Sequence, residues 1–328
     1  MSFFQAPRPQ SGCAFGTLYN DDGNFKPNGE SFSISYFPEN EQLQGSFGTH
    51  PVSLAGITVP DQQVAIVDYA AWAGDGISSG LVGFAYPAVT SAQAADGSSV
   101  EYNPLFTTMV AEKRVKENVF TIAIDRVPRG TPVSADAGQL ALGGLVDQKY
   151  FQPPFTSVPI ELTRGTGAEL TFYSTTHQFI YGKASSSTKN VQLPPKNTKT
   201  LTFQSIIDSG TAPNFIPTSA ANELNSLFSP AGVYNATLGY WVVDCNATAP
   251  YAAYKIGGKV FPMDKRDMIV RSLNGLPGYE DTCFSAFADG GDDGASASFL
   301  IGSVWLRSVV LAHDIGRKML HIAPRRPY

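Results

Sequence analysis

Residues 205–217 constrain the fold of this chain more than any other segment. They read Ser-Ile-Ile-Asp-Ser-Gly-Thr-Ala-Pro-Asn-Phe-Ile-Pro, so an apolar strand carries Asp208 to its end and the turn Ser209-Gly210-Thr211 follows. Burying a carboxylate behind apolar residues costs free energy unless its oxygens accept hydrogen bonds or it keeps its proton. Gly210 allows close backbone approach, and the Thr211 hydroxyl can hold the loop. Taken alone, an Asp-Ser-Gly triplet also fits an ordinary turn that closes a strand.

The composition favours a globular protein made of many short strands. The 328 residues suffice for one large domain or two moderate ones with a substantial core. Hydrophobic residues make up 43%, and the 31 glycines and 23 prolines favour strands and turns over helix bundles. The formal net charge is −5 and no basic run is present, so we expect no nucleic-acid partner. No apolar stretch is long enough for a membrane span.

The first half of the chain contains recognisable strand and helix signals. Residues 31–36 alternate between polar and apolar, which predicts a strand with one buried face, and residues 45–54 are predicted to return beside it as a hairpin. In the segment 80–83 an apolar pair precedes Gly83, which predicts a buried strand approached by another backbone. Asn103 and Pro104 predict a helix start, with Asn103 as the N-cap.

The second half continues the same pattern. Residues 119–124 and 139–144 read as strands, and a short helix is predicted after residue 217, capped by Thr218 or Ser219. Near the end, residues 309–314 and 319–323 flank a turn and predict a final hairpin.

These segments together resemble the pepsin-like aspartic proteases. The quoted likenesses are Asp208-Ser-Gly-Thr211 after an apolar strand, Leu300-Ile-Gly302 and the closing hairpin 309–323, although Ser303 stands where the family usually has Asp. The resemblance covers roughly residues 20 to 325. It implies an all-β, bilobal fold with few short helices, divided into an incomplete N-terminal lobe, 1–157, and a C-terminal lobe, 158–328.

The resemblance also implies roles for individual residues. Asp208 corresponds to one of two catalytic aspartates that share a water, and Ser209, Gly210 and Thr211 correspond to its supporting loop. Tyr36 corresponds to the flap tyrosine that closes over the substrate, although Phe37 and Pro38 follow it where the family usually has glycines.

Three cysteines are present, and the resemblance implies that two of them form a disulfide. The implied pair is Cys245 with Cys283, which leaves Cys13 without a partner.

The second catalytic aspartate is expected to be missing from this sequence. If Leu81-Val-Gly83 is the internal counterpart of Leu300-Ile-Gly302, the spacing from Asp208 to Gly302, counted back from Gly83, falls before Met1. Asp21-Asp22-Gly23 follows no apolar strand and reads as a surface turn. The first residues also lack the charged and apolar regions of a signal peptide. We therefore expect an N-terminally truncated chain, inactive or nearly so, from either a late start in the gene model or a shortened isoform.

Partners and location follow from the resemblance. It implies a polypeptide substrate, no cofactor, a monomer and an extracellular or vacuolar location. Asn235-Ala-Thr237 and Asn246-Ala-Thr248 are sequons for N-glycosylation, which matter only in a secreted chain. The four histidines have no metal-ligand spacing, and residues 289–294 lack the ligands of a calcium loop, so no metal site is expected.

Other functions were weighed against the protease. A serine hydrolase lacks its Gly-x-Ser-x-Gly elbow here. A homodimer with two facing copies of Asp208 would be obstructed by the N-terminal lobe. A non-catalytic protein- or carbohydrate-binding module on the same fold is the main alternative, and the intact residues 208–211 argue against it. The genomic sequence upstream of Met1 would discriminate between the two, since the protease interpretation requires an Asp-Thr-Gly strand there.

Overall fold

The computed structural model describes residues 2–4 by their backbone and residues 15–36, 41–72, 77–126, 137–184, 193–271, 279, 281–292 and 298–327 in full. These residues form two compact units. Unit 1 lies within Met1–Lys116 and takes in Glu169–Thr171, and unit 2 takes in Glu117–Ala168, Phe172–Leu273 and Tyr279–Tyr328. Strands dominate both units, so the predicted all-β class is confirmed.

Unit 1 is built on a single sheet within the described residues. Its strands are β1 (Ser2–Phe4), β2 (Lys26–Tyr36), β3 (Glu41–Leu54), β4 (Ile57–Ala71), β5 (Gly80–Leu81), β6 (Ala92–Gln93) and β7 (Ser99–Val100). They lie in the order β5-β1-β4-β3-β2-β6-β7. A 3₁₀ turn covers Pro87–Val89.

The predicted hairpin in unit 1 is confirmed by the pairing of β2 with β3. The two strands are antiparallel, and Ile34 lies opposite Leu43. Phe32, Leu43 and Phe47 are buried in one hydrophobic cluster, which explains the alternation of residues 31–36. The turn at residues 37–40, where the sequence departs from the family, lies outside the described residues.

The expectation for Gly83 is wrong. The short strand β5 ends at Leu81, Val82 is exposed, and no atom of the described residues lies within 4 Å of the place where a Cβ on Gly83 would stand. Leu81 pairs antiparallel with Ser2, whereas Leu300 pairs parallel with Ile206. In the described residues, the two Leu-x-Gly segments therefore pair in different directions. Similar short sequences can occur in different strand environments.

Unit 2 contains the remaining strands. They are β8 (Val119–Ile124), β9 (Gly138–Leu142), β10 (Thr156–Pro159), β11 (Ser174–Gly182), β12 (Thr198–Ile207), β13 (Asn214–Ile216), β14 (Val233–Asn235), β15 (Tyr240–Val243), β16 (Tyr251–Ile256), β17 (Lys259–Pro262), β18 (Ile269–Arg271), β19 (Cys283–Ser285), β20 (Phe287–Asp289), β21 (Leu300–Ile301), β22 (Val309–Asp314) and β23 (Met319–Pro324). Two 3₁₀ turns cover Gln148–Tyr150 and Lys265–Asp267.

One sheet of unit 2 joins segments that are far apart in the sequence. Its order is β10-β23-β22-β8-β9, and all six residues of β22 are buried. The predicted final hairpin is confirmed, since β22 pairs antiparallel with β23. Because β8 pairs with β22, the compact units divide after Lys116, whereas our predicted lobe boundary is at residue 158. The assignment of 117–157 to the first lobe stays a prediction.

The described residues of unit 2 form two further sheets. One has the order β17-β16-β11-β12-β21-β13-β20, and the other has the order β14-β15-β19-β18. The smaller sheet contains the predicted disulfide, because Cys283 lies on β19 and Cys245 follows β15. The two Cα atoms are 5.2 Å apart. This pairing is therefore confirmed, while Cys13 lies outside the described residues.

The helices are short. They are α1 (Leu105–Ala111), α2 (Thr218–Ser226) and α3 (Ser303–Leu306). The predicted caps are wrong: Pro104 and Pro217 occupy the N-cap positions of α1 and α2, and neither helix has a side-chain cap. Thr218 instead donates its hydroxyl proton to Asp289 Oδ1 at 2.6 Å. Within the described residues, no helix has the length and apolar character needed to cross a membrane.

Candidate active site

Asp208 lies immediately after strand β12, at the point where that strand leaves the sheet. Ile207 is buried, whereas Asp208 is half-buried and Ser209 and Gly210 are exposed. The apolar end of β12 therefore anchors the loop, and the carboxylate lies where the chain reaches the surface of unit 2. This is the position that the sequence predicts for a carboxylate at the end of a buried strand.

Both carboxylate oxygens of Asp208 accept hydrogen bonds from its own loop. The Gly210 backbone N–H donates to Oδ1 at 2.8 Å, and the Thr211 hydroxyl donates to Oδ2 at 2.5 Å. A Cβ on Gly210 would lie 3.2 Å from Asp208 Oδ1, which is a tight contact. Gly210 and Thr211 thus fix the orientation of the carboxylate, and the exposed Ser209 completes the turn between them.

A second segment holds the loop from the side. Strand β21 runs parallel to β12, and the Asp208 N–H donates to the Ile301 carbonyl oxygen at 3.0 Å. The Ser303 N–H then donates to the Thr211 carbonyl oxygen at 2.7 Å. Backbone groups on either side of Gly302 therefore bind both ends of the Asp208–Thr211 loop.

Gly302 is the point of closest approach between these segments. A Cβ at this position would lie 2.2 Å from the Pro213 carbonyl oxygen and 2.6 Å from that of Ala212. Both contacts are to backbone atoms, so a side chain would have to displace the chain itself. The structure thus explains why glycine follows Leu300 and Ile301 in the sequence.

Asn214 was missed by the sequence analysis. It is completely buried, its Oδ1 accepts from the Gly302 N–H at 3.1 Å, and its Nδ2 donates to the Ala286 carbonyl oxygen at 3.2 Å. The amide therefore joins the Asp208 loop to two other segments of unit 2. An amide within the otherwise apolar run Pro213 to Ile216 was the available signal, because buried polar groups need partners.

Tyr36 belongs to unit 1, at the end of β2. Its side chain is 36% exposed, and its ring meets that of Trp72 edge-on with a centroid distance of 5.6 Å. The tyrosine thus lies at the rim of the unit 1 sheet, and its role as a flap residue stays a prediction.

The two sequons lie on surface turns of unit 2. Asn246 is exposed, and Asn235 is half-buried with its Oδ1 accepting from the backbone N–H groups of Thr237 and Leu238. Both lie away from the Asp208 loop in the sequence, and their modification stays a prediction.

The chemistry available at the loop is that of one oriented carboxylate. Hydrogen-bond donors on both oxygens favour a fixed geometry for a general acid or base. In the printed sequence the triplet Asp-Ser/Thr-Gly occurs once, at residues 208–210. Proton exchange between two carboxylates requires a second acid. This loop supplies a single carboxylate, that of Asp208.

Comparisons with known proteins agree on one family. The family model described as eukaryotic aspartyl protease matches residues 6–325. A probable aspartic-type endopeptidase of Aspergillus fumigatus is 38% identical over 330 residues, covering 96% of this chain and 68% of the relative. Gastricsin of Mus musculus is 23% identical over 325 residues, covering 95% of this chain and 71% of the relative.

A solved structure supports the fold. The crystal structure of the aspartic proteinase from Irpex lacteus matches with a TM-score of 0.70 and 17% identity. The match covers 96% of this chain and 88% of that protein. At this identity the likeness concerns the fold alone, and it agrees with the predominance of strands in both units.

Proposed function

Because the chain belongs to the eukaryotic aspartyl protease family, we propose that Asp208 is one of the two carboxylates with which an active protease of this kind hydrolyses polypeptide substrates. Ser209, Gly210 and Thr211 form the supporting loop, and Tyr36 is the flap residue. The observation that carries the proposal is the double anchoring of the Asp208 carboxylate, by Gly210 N and Thr211 Oγ1. The matched family is a protease family, so the non-catalytic binding alternative gains no support.

The role of Asp208 in peptide hydrolysis is to exchange a proton with a partner carboxylate. Two carboxylates in close contact do not both ionise, so one acts as base toward water and the other as acid toward the scissile carbonyl oxygen. The loop holds Asp208 in one orientation for this exchange. The transition state gains from such preorganisation because no reorientation of the carboxylate is needed during the reaction.

We also propose that this chain, acting alone, is inactive or nearly so. The inactivity is supported by the sequence, which contains the triplet Asp-Ser/Thr-Gly once. One carboxylate supplies either the base or the acid at a given moment, and general acid–base assistance is typically a factor of about 10² to 10⁴ in rate. Loss of one partner therefore removes much of the expected rate.

A peptide-cleavage assay tests whether this chain is inactive and, if turnover is seen, whether that turnover depends on Asp208. The purified chain, Asp208→Asn and Asp96→Asn are incubated with quenched fluorescent peptides between about pH 3.5 and 6.5. Asp96 is a matched control, because it accepts from the N–H and the hydroxyl of Ser98 in a comparable turn of unit 1. We expect little turnover from all three proteins.

Two other outcomes would change the proposal. Robust turnover that disappears in Asp208→Asn and persists in Asp96→Asn would support Asp208 and contradict the inactivity of the printed chain. Robust turnover in all three proteins would contradict the assignment of Asp208.

The location that fits this function is extracellular or vacuolar, and the proposed form is a monomer. The Cys245–Cys283 disulfide supports an oxidising compartment, because such bonds persist there and are rare in the cytosol. Secretion from a native host, followed by size-exclusion chromatography with light scattering, tests both points.

A further inference from the structure

Strand β14 forms an open edge of the smallest sheet in unit 2. It pairs with β15 on one side and is the terminal strand of the order β14-β15-β19-β18. Val233 is 70% exposed and Tyr234 is 47% exposed. Among the residues that the structure describes, no strand pairs with the outer side of β14, so this edge combines open backbone groups with two large apolar side chains.

Charged residues, one usual protection of such an edge, are missing from this part of the sequence. No Asp, Glu, Lys, Arg or His occurs between Glu223 and Asp244. Natural edge strands avoid intermolecular pairing through short length, charges, prolines, bulges or a covering element, and of these β14 has its short length. The three residues of β14, Val233-Tyr-Asn235, supply no charge and no proline. A hydrophilic group attached at this edge would add to the protection that the short length of β14 gives.

Asn235 is placed to carry that group. It is the last residue of β14, opposite Tyr240, and it begins the sequon Asn235-Ala-Thr237. Because side chains alternate along a strand, Asn235 lies on the same face as Val233, about 7 Å away. Tyr234 points to the other face, where its ring contacts Trp241 at a centroid distance of 4.7 Å.

The two ends of the Asn235 carboxamide have different surroundings. Its Oδ1 accepts from the Thr237 N–H at 3.1 Å and the Leu238 N–H at 3.2 Å. Its Nδ2 has no hydrogen-bond partner among the residues that the structure describes. The fold thus uses the oxygen to shape the turn and leaves the nitrogen for attachment.

We propose that Asn235 carries an N-linked oligosaccharide that covers Val233 and the open edge of β14. In the attachment step, Asn235 Nδ2 forms a bond to the anomeric carbon of a lipid-diphosphate-linked oligosaccharide. The bond from that carbon to the diphosphate breaks, the lipid diphosphate leaves with the electron pair, and the amide nitrogen gives up one proton. The oligosaccharide is bulky and hydrophilic, so it takes the place of the absent charges.

The second sequon offers an internal comparison. Asn246 is exposed in the turn next to Cys245, and it lies on no strand. A glycan there would be attached to a turn rather than to the edge strand. Loss of the two sequons should therefore have different effects on association.

Attachment is tested by cell-free translation with microsomes, which needs no stable fold. The full chain with a cleavable signal sequence is compared with Thr237→Ala, Thr237→Ser and Thr248→Ala. We expect Thr237→Ala to lose one glycan by gel shift and Thr237→Ser to retain it. Peptide N-glycosidase treatment in ¹⁸O water should convert Asn235 to labelled Asp. Identical glycan numbers in the parent and Thr237→Ala would overturn the proposal, as would an unmodified parent.

Covering of the edge is tested on the secreted protein. Deglycosylation under native conditions with an endoglycosidase, which leaves one sugar on an uncharged Asn235, should make aggregation at least severalfold faster by light scattering. A charge at the edge should compensate, so deglycosylated Val233→Lys is expected to return to the slow rate. Val260→Lys is the control, because Val260 is 39% exposed on the edge strand β17 of another sheet. Equal aggregation rates before and after deglycosylation, or no rescue by Val233→Lys, would overturn the shielding role.

Discussion

The Pro213 carbonyl oxygen lies 2.2 Å from the position that a Cβ on Gly302 would occupy. The residues on either side of Gly302 hold the Asp208 loop, since the Asp208 N–H donates to the Ile301 carbonyl oxygen and the Ser303 N–H donates to that of Thr211. The loop and the Gly302 segment are therefore fitted to each other without room for a side chain.

Gly302→Ala is expected to destabilise unit 2 by about 3 kcal/mol or more, because the new methyl group overlaps backbone that has to move. Gly83→Ala is the matched control, since nothing lies within 4 Å of its Cβ position, and its effect should stay within about 0.5 kcal/mol. Urea unfolding followed by tryptophan fluorescence measures both. Equal effects of the two substitutions would contradict the described packing.

Asn214→Leu is expected to lower the free energy of unfolding by about 2–4 kcal/mol. The substitution leaves the Gly302 N–H without its acceptor and removes one bond to the Ala286 carbonyl oxygen, in a fully buried site. Asn246→Leu, at an exposed position, serves as the control and should be nearly neutral. Thermal or urea unfolding provides the measurement, and a neutral Asn214→Leu would show that the amide does not join these segments.

Removal of the disulfide is expected to destabilise unit 2 by about 4 kcal/mol in the chain-entropy model, given the sequence separation of 38 residues between Cys245 and Cys283. The double variant Cys245→Ala/Cys283→Ala should therefore unfold at lower urea concentration than the parent. Reducing agent should shift the parent to the same midpoint and leave the variant unchanged. If reducing agent left the urea midpoint of the parent unchanged, the Cys245–Cys283 disulfide would be contradicted.

Stability is expected to fall as the pH decreases from about 6.5 toward 3. Burial lowers the pKa of His177 and of His313 to about 3 each. In the unfolded chain the histidine pKa is about 6.5, so the unfolded state binds more protons across this interval and is favoured by acid. By pH 4 the effect amounts to roughly 3 kcal/mol for each histidine.

The surroundings of the two imidazoles explain these low pKa values. His177 Nε2 lies 2.9 Å from Ser205 Oγ, and the His313 ring stacks on Phe120 at 4.2 Å. Urea unfolding at pH 7, 5 and 4 should show a smaller slope for His313→Phe than for the parent. Leu311→Ala, which is destabilised without loss of a histidine, should keep the parental slope. Imidazole titration near pH 6 by NMR in the folded protein would contradict the prediction.

The sequence predicted those features that depend on local alternation and on direct pairing. Residues 31–36 were predicted as a strand because their apolar side chains alternate, and residues 309–314 because they and residues 319–323 flank a turn. The disulfide followed from the family resemblance, and Cys245 and Cys283 lie on adjacent parts of one sheet.

The features that were missed depend on tertiary contacts. Asn214 has its role only because Gly302 and Ala286 converge on it from distant segments. Gly83 and Gly302 have similar neighbours in the sequence, yet one has open space and the other has two carbonyl oxygens beside it. Thr218 was wrongly predicted as a cap of α2. Its hydroxyl group bonds to Asp289, a partner that no local pattern contains.

Strand β23 lies between β10 and β22, so this sheet is completed by a strand that is synthesised after its four other strands. Arg325, just beyond it, pairs with Asp125 across 200 residues of sequence. On the ribosome, β8 and β10 therefore lack their hydrogen-bonding partners β22 and β23 until that hairpin leaves the exit tunnel. Vectorial synthesis thus delays the closure of this sheet until β23 has been made, and chaperone binding is expected to be needed during that interval.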